Sequence, residues 1–322
     1  PWPQVGDACT ESGAEHRFEN PACLPLRLIK VFLLALTLLL LGAGTSFAAE
    51  SPEVAAPHIK ARLVTSVDSV RPGQAFMAAL VLEPDPHWHT YWENPGDTGL
   101  MTRLTWSLPE GAEGGAPVWP APERIEVGGL VNFGFHGTTL LPVEIKPPQL
   151  DPIAQRATGA GEGFALALSA RWLVCEEVCI PGKGEFTLTL PWAEPGSPMR
   201  IDRHWAPRIA EVIEGRRQPV PGARFTIQDG VLTLEASLDD LAPGSPLAQS
   251  GAGNDADSST RTRRDLGFFP LTQSIVELAE PMPIWREGER LLVRAKLKSD
   301  ASADAVDALQ AFDGVFVQRG AG

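Results

Sequence analysis

The chain has 322 residues, a net charge of −13, 30 Pro, 31 Gly and four Cys. That much Pro and Gly works against long helical bundles, and the acidic balance argues against a nucleic-acid partner, which would need a basic face. The length allows a sizeable core and favours two domains.

Residues 1–26 are polar, begin with Pro1 and carry Cys9 and Cys23. They read as an unstructured upstream segment. Arg27 and Lys30 then precede an apolar run over 31–42, and small residues follow to Ser46-Phe47-Ala48-Ala49. A positive flank, a short apolar stretch and a small-residue cleavage site make 27–48 a secretory signal peptide. The run is shorter than the roughly 20 residues of a membrane span. Export places the remaining chain where disulfides persist, and that chain retains two cysteines, Cys175 and Cys179. It reads as a soluble exported unit or as the front part of a longer protein.

From His58 to Pro191 the pattern is β. Apolar, partly alternating stretches cover 58–67, 74–84, 103–108, 139–145, 164–174 and 185–191. Arg71-Pro72-Gly73, Asn94-Pro95-Gly96-Asp97 and Pro181-Gly182 punctuate them as turns. Short strands at this spacing predict an immunoglobulin-like β-sandwich over 49–195. Trp119, Trp172 and Trp192 read as its core. The segment Pro195–Pro198 is a boundary. A helix is expected over 202–215, with Asp202 as N-cap, Gly215 as stop and Pro207 in the first turn. Strands return at 223–228, 231–238, 290–297 and 314–318. The stretch 244–264, rich in Ser, Gly, Ala and Asp, reads as a flexible loop. Residues 199–322 are therefore expected to form a second, smaller β-rich domain.

The cysteine pair limits its own geometry. In an extended strand, residues four apart lie about 13 Å apart, whereas a disulfide needs Cα atoms about 4.4–6.8 Å apart. The segment must curl, as a hairpin tip or one helical turn. A bridge this short closes a small loop and removes little unfolded-chain entropy. Three readings stay open: a redox pair, a structural disulfide, or two thiolate ligands of a metal. Glu176 and Glu177 lie between the cysteines, and negative charge disfavours a free thiolate. That suits a pair that reacts when docked with a partner.

Four stretches carry a family resemblance. They are His87-Trp88-His89-Thr90-Tyr91-Trp92-Glu93-Asn94-Pro95-Gly96-Asp97-Thr98-Gly99, then Trp119-Pro120-Ala121-Pro122-Glu123-Arg124, then Gly128 to Gly137 leading into Leu141-Pro142-Val143, and Trp172 to Gly182 around the pair. Together they resemble the N-terminal periplasmic domain of the DsbD family of thiol:disulfide interchange proteins, especially its ScsB-like branch. Phe268-Phe269-Pro270 fits that branch, and the likeness runs over about residues 55 to 320. It implies a periplasmic domain, either free or tethered to the inner membrane by a domain outside this chain. Cys175 and Cys179 would be the exchanging thiols, working without a cofactor. Electrons would arrive from a membrane electron-transfer domain through a thioredoxin-like redox donor. They would pass to periplasmic disulfide-carrying proteins, in cytochrome c maturation or copper tolerance. Glu176 directly follows Cys175, which favours Cys179 as the attacking thiol. The resemblance also implies a capping loop over Glu126–His136, with Phe133 or Phe135 as the shield, and places His89 and Tyr91 near the pair.

Two alternatives accompany this reading. His87 and His89 on one strand would share a face and, with Cys175 and Cys179, could hold copper or zinc. The chain could instead be a non-catalytic docking module. No G-x-S-x-G, H-E-x-x-H or Walker-type loop marks a hydrolase or nucleotide site.

Overall fold

Strand β3 (Phe76–Pro84) is apolar at almost every position, as expected for a strand covered on both faces. Phe76, Ala78, Leu80 and Leu82 point into the main core, while Ala79 and Val81 face the opposite way. Helix α1 (Trp205–Glu214) covers that second face. Its Trp205 and Ile209, four residues apart and so on one helix face, pack with Val64, Ala79, Val81 and Leu140. The Asp202 carboxylate accepts the backbone N–H groups of His204 and Trp205 at the helix start. The helix stops at Gly215, within a few residues of the expected bounds.

A computed structural model describes residues 49–149, 163–194, 196–215, 220, 222–239, 266–301, 309 and 311–318. The expected upstream segment (1–26), signal peptide (27–48) and loop 244–264 lie outside the described residues. The described residues belong to one compact unit, Phe47–Gly322.

The first sheet runs β1-β2-β3-β9-β6, from β1 (Val54–Ala56), β2 (Ile59–Thr65), β3, β9 (Thr139–Lys146) and β6 (Glu113–Pro117). The second runs β11-β10-β4-β8-β7. Its strands are β11 (Cys179–Leu190), β10 (Phe164–Cys175), β4 (His89–Gly96), β8 (Leu130–His136) and β7 (Glu123–Val127), with β5 (Arg103–Ser107) also paired to β10. Every ladder is antiparallel. Alternate residues of β10, from Phe164 through Leu166, Leu168, Ala170 and Trp172 to Val174, enter the core between the sheets. The intervening residues face outward.

The region after α1 adds a sheet in the order β12-β13-β16-β15, from β12 (Arg224–Gln228), β13 (Val231–Ser237), β16 (Arg290–Lys296) and β15 (Ile284–Glu287). A two-stranded ladder joins β14 (Leu266–Pro270) to β17 (Gly314–Gln318). Its buried apolar residues continue the core of the first sandwich. Phe269 packs edge-on against Trp92 and Phe133, and the Asn94 side-chain amide donates to the Pro270 carbonyl.

Three sequence expectations change here. Pro181-Gly182, expected as a turn, lies within β11, paired with Leu173 and Trp172. Asn94-Pro95-Gly96, expected as a turn, closes β4, with a register shift between Tyr91 and Gly96. Glu126–His136, expected as a loop, is mostly the β7–β8 hairpin, turning at Gly128-Gly129 with both glycines at positive φ. Sheet pairing through β4 depends on one close approach: a Cβ at Gly134 would collide with the Thr90 carbonyl oxygen. Gly134→Ala is expected to lower unfolding stability by about 1–3 kcal/mol in urea titration, because the clash is with backbone and no rotamer relieves it.

Candidate functional site

The β10–β11 ladder pairs twelve residues in unbroken register, and its last pair is Cys175 with Cys179. The two are disulfide-bonded with Cα atoms 4.2 Å apart, and Glu176, Glu177 and Val178 form the exposed tip. The curl is therefore a hairpin tip. Sheet order makes the two sulfurs unequal. Cys175 ends an interior strand, flanked by Cys179 on one side and His89 of β4 on the other, and is 1% exposed. Cys179 begins the edge strand β11 and is exposed. An incoming sulfur therefore finds Cys179 first.

β4 supplies the immediate surroundings. His89 and Tyr91, two residues apart, share the outer face of the sheet with the disulfide. Both are buried, with rings 5.2 Å apart. The Tyr91 hydroxyl lies 3.4 Å from Cys179 Sγ and can donate to the sulfur. The segment after β4 lies against Tyr91. Gly99, at φ 96°, sits where a Cβ would collide with the Tyr91 ring. Thr98 is held there by its backbone N–H and its hydroxyl, both donating to Asn132 Oδ1.

Burial pushes the His89 imidazole down to about 4, nearby His136 adds to that shift, and Glu123 opposes it. His136 itself contacts Glu123 at 2.9 Å. Burial pushes the Tyr91 hydroxyl up, partly offset by a hydrogen bond with Thr98. At neutral pH both side chains beside the disulfide are thus uncharged. Acidic groups stand on two sides of them: Glu123 beside His136, and Glu176 and Glu177 at the exposed tip.

The structure separates the remaining candidates from the sulfurs. Phe133 and Phe135 are buried in the main core. Phe135 is paired with Thr90, whose side chain points opposite to His89, so both phenylalanines lie on the inner face, away from the disulfide. Phe133 packs on Trp92 and Phe269 instead. Tyr91 is the aromatic side chain found at Cys179. His87 is not on a strand. It is exposed in the turn before β4 at φ 73°, so the pattern of two histidines on one strand face is not formed. Among the described residues no group of three or more His, Cys, Asp or Glu could hold a metal ion. The Thr98–Gly99 segment was missed in the sequence, where Asn94-Pro95-Gly96-Asp97 signalled only a turn.

Comparisons with known proteins agree with this geometry. Residues 59–191 match the family model described as thiol:disulfide interchange protein DsbD, N-terminal. The crystal structure of the N-terminal periplasmic domain of ScsB from Proteus mirabilis superposes with a TM-score of 0.56 at 16% identity. It covers 84% of this chain and 94% of its own. The yeast GGA1 GAE domain reaches a TM-score of only 0.23 at 8% identity, covering 43% of this chain and 97% of its own. No curated protein matches. The fold is an immunoglobulin-like sandwich that matches that of the DsbD N-terminal domain, and this chain carries a bridged cysteine pair at C-x3-C spacing. No helix among the described residues is long and apolar enough to cross a membrane.

The depressed His89 has a consequence for stability. In the unfolded chain an imidazole protonates near 6.5, while in the fold His89 stays neutral down to about 4. The unfolded state therefore binds the proton first. The contribution is complete above about pH 6.5 and is lost as pH falls toward 4, by up to roughly 3 kcal/mol. Urea midpoints measured at pH 7 and at pH 4.5 are expected to differ less in His89→Gln than in the parent protein.

Proposed function

We propose, from the match of residues 59–191 to the family model of the DsbD N-terminal domain, that the chain passes electrons between periplasmic proteins by thiol–disulfide exchange at Cys175–Cys179. The observation that carries this reading is the unequal exposure of the two sulfurs at the end of one hairpin. A bridge across three intervening residues contributes little as a staple. Placed at an exposed edge, it is accessible for exchange.

The steps balance as two exchanges. A thiolate of a thioredoxin-like donor attacks Cys179 Sγ, a donor–Cys179 disulfide forms, and Cys175 leaves as a thiolate that takes up a proton. The donor's second thiolate attacks its own bridged sulfur, giving oxidised donor and a Cys179 thiolate. That thiolate attacks the disulfide of an oxidised exported protein, releasing one of its thiolates. Cys175, deprotonated, then attacks Cys179 Sγ, re-forming the pair and freeing the second thiolate of the substrate. Two electrons and two protons move in total. The resemblance extends this to a donor fed by a membrane electron-transfer domain and to substrates such as disulfide isomerases or cytochrome c maturation thioredoxins.

Tyr91 has a defined part in this scheme. Its hydroxyl donates to a thiolate at Cys179 more strongly than to a neutral sulfur, so it favours the reactive form of the exposed cysteine. His89 stays neutral at pH 7 and so lends a Cys179 thiolate no positive charge.

Two measurements test the reading. Incubated with an excess of reduced thioredoxin that retains only its attacking cysteine, the oxidised wild-type protein is expected to be trapped as a mixed disulfide at Cys179, with Cys175 left as the free thiol. Alkylation and mass spectrometry count the adducts. A wild-type disulfide that the thioredoxin leaves intact overturns the proposal. In the reduced protein, Tyr91→Phe is expected to raise the Cys179 thiol pKa by about one unit, from the loss of one hydrogen bond to a charged group. Thiolate ultraviolet absorbance followed against pH measures that shift.

A further inference from the structure

Three cations stand in a row across three neighbouring strands. Arg103 of β5 is paired with Arg171 of β10, and Arg171 is paired with Lys183 of β11. All three are exposed. Like charges directly opposite one another on a sheet face are destabilising, and none of the three has a carboxylate partner among the described residues. The next row is Thr105, Ser169 and Glu185, and there the Ser169 hydroxyl donates to Glu185. In a chain of net charge −13, an uncompensated cationic row is a local reversal of sign.

Alternation links this row to the disulfide. Residues 171, 173 and 175 of β10 share one face, as do 179, 181 and 183 of β11. Three successive cross-strand pairs therefore lie along the outer face of the hairpin: Cys175 with Cys179, Leu173 with Pro181, and Arg171 with Lys183. At about 6.7 Å per two residues the cations stand roughly 13 Å from the sulfurs. Leu173, Pro181 and Leu100, which is 65% exposed, make the apolar part of a groove of about 530 Å³ that the three cations also line. Beyond the disulfide lie Glu176 and Glu177. The face is thus graded from acidic tip through sulfur and apolar floor to basic row.

We propose that this groove seats an acidic segment of the protein that exchanges disulfides with Cys179. The segment places an apolar side chain on Leu100, Leu173 and Pro181. Its carboxylates reach Arg103, Arg171 and Lys183, about 13 Å from its own reacting sulfur. The cations draw in that end of the partner, while Glu176 and Glu177 repel it from the tip, so charge sets the orientation before the sulfurs meet. This inference rests on the exchange reading above.

Two synthetic peptides test it. Each carries one cysteine and one leucine, and they differ only in having two aspartates or two lysines four residues from the cysteine. Mixed-disulfide formation with the oxidised protein is followed by mass spectrometry at low salt, with dithiothreitol as an uncharged control. The aspartate peptide is expected to react about tenfold faster than the lysine peptide, although the overall charge of the protein would favour the reverse. Added salt and the double variant Arg171→Glu/Lys183→Glu are both expected to abolish the preference, with the dithiothreitol rate unchanged. A lysine peptide that reacts as fast as the aspartate peptide on the parent protein overturns the groove, whatever the variant does. A pair that resists dithiothreitol overturns the exchange reading and the groove with it. A pair that yields to dithiothreitol without an acidic preference overturns the groove alone.

Discussion

The register of β10 against β11 is the constraint on which the site depends. Twelve consecutive pairs hold it, and the inner half of β10 is anchored by Phe164, Leu166, Leu168, Trp172 and Val174 in the core. Side-chain direction alternates along a strand, so a slip of one residue would exchange the faces. It would put Cys175 and Arg171 inside and Trp172 outside. Burial of large apolar side chains, worth roughly 1.5–3 kcal/mol each, therefore decides where the sulfurs emerge. The disulfide closes a register that hydrophobic packing has already selected.

Position within the sheet then makes the two cysteines chemically different. They are four residues apart and carry the same functional group, yet one ends an interior strand and the other starts an edge strand. An edge presents unpaired surface to other chains and is usually managed as a liability. Here the edge carries the accessible sulfur. Burial of Cys175 raises the cost of charge on it, whereas Cys179 has solvent and the Tyr91 hydroxyl to support a thiolate. The asymmetry that exchange needs comes from strand order and not from any difference in residue type.

The legibility of this arrangement in the sequence was uneven, for physical reasons. Strands with long apolar or alternating runs, such as β3, β10 and β16, were readable because period and composition agree. The hairpin tip was one of two geometries allowed by the cysteine spacing. β4 and β8 were harder, because Asn94-Pro95-Gly96 and Gly128-Gly129 carry turn signals and both strands owe their pairing to tertiary contacts. His89 and Tyr91, which the resemblance places near the pair, lie beside it on β4. The resemblance did not show which face Phe133 and Phe135 occupy, since that follows from the register of β8 against β4. Nor could spacing alone show that His87 lies outside the strand, since a turn residue and a strand residue two positions apart look alike in sequence. The row of Arg103, Arg171 and Lys183 was invisible because its members are far apart along the chain and meet only through two ladders.

The region after α1 contains no cysteine, yet it reaches the site by a short chain of contacts. Lys298 Nζ lies 3.0 Å from Asp97 Oδ1, with only 24% and 11% of the two side chains exposed. The other oxygen of Asp97 accepts the backbone N–H of Val131, and the Asp97 N–H donates to the Val131 carbonyl. Asp97 is followed by Thr98, which is held on Asn132, and by Gly99, pressed on the Tyr91 ring. Tyr91 in turn touches Cys179. On the inner face, Phe269 buttresses Trp92 and Phe133 at the same strand pair. A partly buried carboxylate that lost its lysine would keep its desolvation penalty and lose its compensation, so this ion pair holds the β4–β5 connection in place. The second region thus acts as a brace. It fixes the backbone around Tyr91 from both faces of the sheet, and Tyr91 sets the environment of the exposed sulfur.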